Sequence, residues 1–272
     1  MDSAMTDEAA LAREILNALD ERRQIPCITE RIAEFDQTAA YRVSREITRL
    51  RRERGEVPIG RKIGFTNRTI WDEYKVYAPI WGPVYSTTVK PGAESLSLEK
   101  LVEPRIEPEI LLKLGKAPSS GMSDAELMSC VSHVAHSFEI VQSLFAGWRF
   151  QAADTVAAFA LHGALVHGPF SEITAETRDE WRARLANFRI VLFRNGEVVD
   201  EGVSSNVLDA GPLAALRHLA DVLAGDAAAP AMQAGEIIST GTLTRAMPVA
   251  PGERWSTAFD GLPLDGLRLR FE

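Results

Sequence analysis

The stretch that most constrains this chain is Arg105-Ile106-Glu107-Pro108-Glu109-Ile110-Leu111-Leu112. In an extended strand, successive side chains alternate between two faces. Ile106, Pro108, Ile110 and Leu112 then share one face and read as core. Glu107 and Glu109 share the other, about 7 Å apart by strand rise. Two carboxylates on one face repel each other, so they need a cation, solvent or a shared proton between them. A solvated strand face meets that need as well as a metal does. Pro108 has no N–H for a ladder, which predicts that the strand lies at an edge, rim or bulge. A third carboxylate, Glu139, sits in Ser137-Phe138-Glu139-Ile140-Val141 with apolar residues on both sides, which points it inward. Three carboxylates are hard oxygen ligands that suit Mg²⁺ or Mn²⁺ better than Zn²⁺.

Around this stretch the chain divides into a helical first part and a strand-rich remainder. Leu11, Ile15 and Leu19 repeat at helical spacing after Thr6 or Asp7 as N-cap, and Pro26 interrupts the pattern. A second helix is predicted from Asp36 to Glu53, with Ala40, Val43, Ile47 and Leu50 on one face and Gly55 as its stop. Its Arg42, Arg45, Arg49, Arg51, Arg52 and Arg54 read as a solvated basic face that pairs with acidic residues elsewhere. Beyond it come a short strand at Lys62–Phe65, one or two helical turns within Thr66–Lys75, and a structured loop over Tyr77–Val84. A helix at Ser123–Cys130 leads to a strand through Phe138–Val141. Gly163–His167 is a further strand. Asn195-Gly196 joins Arg189–Phe193 to Val198–Gly202 as a hairpin, because both turn residues tolerate positive φ. Pro212–Leu223 is an amphipathic helix, and Gly235–Thr240 and Leu267–Phe271 are strands. Helices and strands do not alternate strictly, which disfavours a doubly wound parallel sheet. The reading is an α+β chain: a helical region over residues 1–58 and a mixed β-rich domain over residues 59–272.

Composition narrows the function. The 272 residues carry a formal charge of -8, which removes the electrostatic basis for non-specific binding to nucleic acid or an anionic membrane. Two cysteines, Cys27 and Cys130, offer neither a disulfide framework nor a thiolate zinc site. The acidic N-terminus has no signal core, and no apolar run approaches the roughly 20 residues of a membrane span, so a cytoplasmic protein is expected.

These residues, in this order, resemble the fumarylacetoacetate hydrolase superfamily, and within it the branch of 2-hydroxypentadienoate (2-keto-4-pentenoate) hydratases and 4-oxalocrotonate decarboxylases. The resemblance spans nearly the whole chain. It includes Gly60-Arg61-Lys62-Ile63-Gly64-Phe65-Thr66, Arg105–Glu109, Phe138–Val141, Trp148–Phe150, Asp154–Ala157 and Ile238–Thr244. It implies a β-roll catalytic domain, a homo-oligomer, and Mg²⁺ or Mn²⁺ held by Glu107, Glu109 and Glu139. Lys62 matches the branch's active-site lysine, and Thr240, Gly241 and Thr242 match its contact to the substrate carboxylate. The implied activity is that of a lyase on a small 2-oxo acid, working through a metal-stabilised enolate. Such an electron sink serves hydration of a 2-hydroxypentadienoate-like substrate in aromatic catabolism, and equally decarboxylation of the 4-oxalocrotonate type. Six positions depart from the branch: Gln142 and Ile80 replace acidic residues, Arg149 and Gln151 a lysine pair, and Ala158 and Phe159 an acidic–asparagine pair. A catalytically idle, metal-binding partner subunit is therefore a third reading. Of the histidines, His136 is expected to face away from Glu139, and both His136 and His162 read as structural.

Overall fold

The structure, a computed structural model, describes residues 7–272. Thr6, the alternative first cap, lies outside the described residues. Asp7 caps α1 (Glu8–Asp20), its Oδ1 accepting the Ala10 N–H at 2.9 Å. A short α2 (Ile28–Arg31) follows Pro26, and Asp36 caps α3 (Gln37–Glu53) in the same way. The apolar faces of α1 and α3 pack on each other through Leu11, Ile15, Val43 and Ile47. Four arginines of the basic face of α3 are paired as expected. Arg42 meets Glu8, Arg45 meets Asp226, Arg49 meets Glu46 and Glu53, and Arg54 meets Asp20. Exposed pairs of this kind contribute at most about 1 kcal/mol each. Arg51 differs: it is buried, bonded to Glu56, and stacked 3.9 Å from the Tyr85 ring centroid.

The chain then runs through β1 (Pro58–Gly64), α4 (Trp71–Tyr74), β2 (Ile80–Tyr85), β3 (Val89–Pro91), β4 (Ser95–Leu96) and β5 (Arg105–Leu114). Next come α5 (Asp124–Cys130), β6 (Val131–Val141), α6 (Ala152–Ala157), β7 (His162–His167), β8 (Ser171–Glu172) and α7 (Arg178–Ala186). The remaining elements are β9 (Arg189–Arg194), β10 (Glu197–Val203), α8 (Pro212–Gly225), β11 (Ile237–Ser239), β12 (Met247–Pro248), β13 (Arg254–Asp260) and β14 (Arg268–Phe271). A large mixed sheet has the order β2-β1-β11-β5-β6-β7-β3, and a second sheet the order β10-β9-β13-β14-β4. The Asn195-Gly196 hairpin forms as predicted, with φ of 54° and 91°.

One face of the large sheet is covered twice. Ile110, Leu112 and Ile238 pack under α5, α7 and α8, while Ile106, Phe138, Ile140 and Val166 pack against Leu192, Trp255 and Phe271 of the second sheet. The N-terminal helices share a core with Phe65–Ile80 and Val141–Leu161. No helix among the described residues is long and apolar enough to cross a membrane.

Two expectations about proline are corrected. Tyr77–Val84 is not all loop, since Ile80–Tyr85 forms β2. β2 is the outermost strand and pairs only with β1, so Pro83 leaves no ladder hydrogen bond unmade within the sheet. Pro108 does not mark an edge strand, because β5 lies between β11 and β6. Its neighbour on one side changes along its length. β11 leaves after the Ser239–Leu111 register and β12 arrives at Ile106. Between them the Pro108 carbonyl accepts the Leu243 N–H at 3.0 Å from the connecting loop. Proline thus sits at a local gap in the ladder, inside a central strand.

Candidate metal centre

The carboxylates come together because β5 and β6 are antiparallel neighbours. Glu107 stands opposite Glu139 and Glu109 opposite Ser137, all on the face away from the helix layer. β1 runs parallel to β11 with Lys62 beside Ser239, which brings a lysine to the same face from 45 residues or more away in the chain. One ligand oxygen from each of Glu107, Glu109 and Glu139 lies within 4.8 Å of the others. Glu109 and Glu139 are fully buried and Glu107 partly so.

Each buried carboxylate has one oxygen tied and one open. Glu109 Oε2 accepts from Ser239 Oγ at 2.5 Å and from the Gly241 N–H at 3.0 Å, while its Oε1 has no hydrogen-bond partner. Glu139 Oε1 accepts from His162 Nδ1 at 2.8 Å, and its Oε2 has only the Lys62 Nζ ion contact at 3.2 Å. Ser137 Oγ beside them is also without a partner. Orphaned, buried, acceptor-only oxygens are costly. Two of them, converging with an oxygen of Glu107, fit a hard divalent cation.

The electrostatics agree. Burial pushes the Glu107 carboxyl up to about 7 against the pull of Lys62. Burial, then repulsion from Glu139 and Glu107, holds Glu109 well above the ordinary carboxylate range. Burial also opposes charge on Glu139, yet Lys62 and the His162 hydrogen bond outweigh it and hold Glu139 low. Lys62 is desolvated, but Glu139, Glu107 and Glu109 together keep its ammonium above its usual pKa.

Lys62 is fixed at its tip. Its Nζ donates to the Ala160 carbonyl at 2.9 Å. That carbonyl is aimed by a left-handed run, Phe159, Ala160 and Leu161, with φ of 62°, 49° and 63°. Left-handed non-glycine residues cost about 1–3 kcal/mol each, so three in a row must be held by their surroundings. Gly82 of β2 is part of that packing: a Cβ there would lie 2.8 Å from Ala160 Cβ.

Lys62, Phe65, Tyr74, Glu107, Trp148 and Thr242 line a small cavity of about 20 Å³, room for about one water molecule. Arg105, on the same strand face, donates to Tyr74 Oη at 2.6 Å and lies 4.4 Å from the Trp148 ring centroid. Thr242 lines the cavity with its hydroxyl donating to the Thr244 carbonyl at 2.9 Å, the Thr240 hydroxyl donates to the Ile110 carbonyl at 2.9 Å, and the Gly241 N–H is spent on Glu109. Gly241 is required by space, since a Cβ would lie 1.8 Å from Thr66 Oγ1. A much larger cleft of about 790 Å³ lies between α3 and the 229–236 loop, lined by Arg61 and Trp81 and not by the three carboxylates.

Sequence reasoning missed three members of this cluster. Ser239 and Ser137 are polar positions in apolar strands, and that was their signal. His162 was read as structural and is instead bonded to Glu139, so that reading is corrected: β7 pairs with β6, and His162 at its start stands opposite Val141, two residues along β6 from Glu139. His136 does face the other way, bonded to the Glu109 carbonyl and to Thr257 Oγ1. Of the departing positions, Ile80 packs beside Gly64 next to Lys62 Nζ, and Phe159 begins the left-handed run. Gln142 spans Val102 N and the His162 carbonyl, and Gln151 is exposed.

The chain is similar to 2-hydroxyhexa-2,4-dienoate hydratase of Comamonas testosteroni, 30% identical over 91% of this chain and 92% of that one. It is also 30% identical to 4-oxalocrotonate decarboxylase of Pseudomonas putida, over 93% of each chain. Among solved structures it superposes on 4-oxalocrotonate decarboxylase from Pseudomonas putida G7, complexed with magnesium and adipate. That match has a TM-score of 0.87, 29% identity, and 97% of each chain covered. Residues 81–264 match the fumarylacetoacetate (FAA) hydrolase C-terminal family. With the fold, the buried carboxylates and these likenesses in agreement, this chain belongs to the fumarylacetoacetate hydrolase family.

Proposed function

We propose that this chain is a divalent-metal-dependent lyase acting on a small 2-oxo acid, hydrating a 2-hydroxypentadienoate-like substrate in aromatic catabolism. The observation that carries the reading is the convergence of Glu107, Glu109 and Glu139 within 4.8 Å, with open oxygens and Lys62 beside them. Those three residues would hold the cation, Mg²⁺ or Mn²⁺. Bound there, it would supply Lewis-acid polarisation of the substrate's carboxylate and 2-oxo oxygens. The names of the similar hydratase and decarboxylase support the substrate class. The resemblance extends the proposal to a homo-oligomer, and the sequence pattern extends it to a cytoplasmic protein with residues 1–58 as helical region and 59–272 as catalytic domain.

Lys62 is the catalytic residue. An ammonium has three N–H groups. One donates to Ala160, one faces Glu139, and the third is available to the substrate. Because its neighbours keep it protonated, it stabilises negative charge on the 2-oxo oxygen of an enolate, and it does not act as the base. Thr242 at the cavity wall, with Thr240 and Gly241 behind it, positions the substrate carboxylate. Phe65, Tyr74 and Trp148 exclude water from the remaining walls. A five- or six-carbon acid exceeds the present cavity, so these aromatic side chains move aside when it binds.

Decarboxylation of a 4-oxalocrotonate-type substrate is the second reading, favoured by one observation. The titratable groups lining the cavity are Lys62, Glu107 and Tyr74, and burial pushes the Tyr74 hydroxyl up. Apart from a metal-ligand carboxylate, none of these is suited to deprotonate an attacking water. Purified protein with Mg²⁺ or Mn²⁺ should turn over 2-hydroxypenta-2,4-dienoate or 4-oxalocrotonate. Turnover of neither, with metal bound, would leave the idle partner-subunit reading.

A further inference from the structure

His162 carries an inference about how the cation is chosen, and it rests on the metal-site reading above. Its side chain is 1% exposed and held at both ends. Nδ1 lies 2.8 Å from Glu139 Oε1, and Nε2 lies 2.8 Å from Thr88 Oγ1. An ionised carboxylate only accepts, so the ring proton sits on Nδ1 and points at Oε1. The ring's backbone is equally fixed. It follows directly on the left-handed run 159–161, and its carbonyl accepts from Gln142 Nε2 at 3.4 Å.

The consequence is for the denticity of Glu139. With Oε1 committed to His162, only Oε2 faces Lys62 and the open centre. Glu109 is presented in the same manner, Oε2 tied by Ser239 and Gly241 and Oε1 open. Ca²⁺ takes six to eight oxygens and uses bidentate carboxylates, whereas Mg²⁺ and Mn²⁺ are served by single oxygens in octahedral sites. We propose that His162 is a positioning residue that keeps Glu139 monodentate and thereby biases the centre toward Mg²⁺ and Mn²⁺ over Ca²⁺.

The test is calorimetric titration of the full chain with Mn²⁺ alone and with Ca²⁺ alone. Four variants are compared with wild type: His162→Asn, His162→Gln, His162→Leu and Glu139→Gln. Asparagine places an N–H where Nδ1–H stood, while glutamine places it near Nε2 and leucine has none. The expected Mn²⁺/Ca²⁺ affinity ratio of His162→Asn stays within about threefold of wild type. In His162→Leu and His162→Gln it falls roughly tenfold or more, the scale of losing a partner that orients a metal ligand. A merely structural histidine would not shift a ratio between two ions. Equal ratios in the Asn, Gln and Leu variants would overturn the proposal. If His162→Leu does not fold, the Asn–Gln comparison decides alone. Unchanged Mn²⁺ affinity in Glu139→Gln would instead overturn the metal-site reading itself.

Discussion

The two faces of β5 and β6 are built from alternating residues of the same two strands yet hold together by different physics. On one face Ile106, Ile110, Phe138 and Ile140 are fully buried against helices and the second sheet. That face needs no bound ion, because apolar burial requires no specific partner. On the other, Glu107, Glu109 and Glu139 crowd together at the cost of desolvation and repulsion. The first face makes the sheet rigid enough to hold the second in an arrangement it would not adopt alone. A functional site of this kind is a local loss of stability carried by the fold behind it.

The comparison is broken most sharply by neighbours on one strand. Ile110→Ala should cost about 2–5 kcal/mol of stability, as for a fully buried leucine-sized truncation, while the folded variant keeps its Mn²⁺ affinity. Glu109→Gln should do the reverse, weakening Mn²⁺ binding by at least about 1–3 kcal/mol without an Ile110-sized loss of stability. Chemical denaturation with parallel metal titration reads both. If Ile110→Ala weakened metal binding as much as Glu109→Gln, the division between faces would be wrong.

Lys62→Met comes next. It should lower kcat roughly 10²-fold or more, the scale of a lost electrostatic group, with metal affinity largely kept. Unchanged turnover would return Lys62 to a structural role.

The two faces should also respond to pH with opposite signs. Burial lowers His136 from 6.5 to about 4. Its contribution is present above pH 6.5 and is lost as pH falls toward 4, by up to about 3 kcal/mol, because only the unfolded chain takes the proton. His136→Gln should remove that acid sensitivity. Glu109 is raised well above 4.5, so its contribution is present below that pH and is lost as pH rises through its folded value. Metal-free wild type should therefore lose more stability between pH 5 and 8 than Glu109→Gln does. The smallest effect expected is at the surface, where Arg42→Ala removes the Glu8 pair and should cost less than about 1 kcal/mol.

What could be read in advance follows the same division. The apolar face of β5, the Asn195-Gly196 hairpin and the caps at Asp7 and Asp36 are local patterns, and local patterns are legible. Glu107 and Glu109 were legible as a same-face pair for the same reason. Their joining with Glu139 and Lys62 came only from the family resemblance, and Ser239 and His162 were missed, because these residues reach them through non-local strand pairings that no single stretch encodes. Pro108 misled because proline constrains only its own N–H, and the gap it faces is created by β11 leaving and β12 arriving. Pro83 misled in the opposite direction, since an outermost strand accepts what a central one does not. The Thr240 hydroxyl was expected at the substrate, and the structure places it on the Ile110 carbonyl instead.

The central claim is that a cation held on the carboxylate face would polarise a 2-oxo acid enough for its C3 protons to exchange with solvent. The most direct measurement is NMR of 2-oxopentanoate in deuterium oxide with the purified protein. The account predicts exchange of the C3 protons that requires Mg²⁺ or Mn²⁺ and vanishes in Glu107→Gln. No metal-dependent exchange in a protein shown to bind the metal would contradict it.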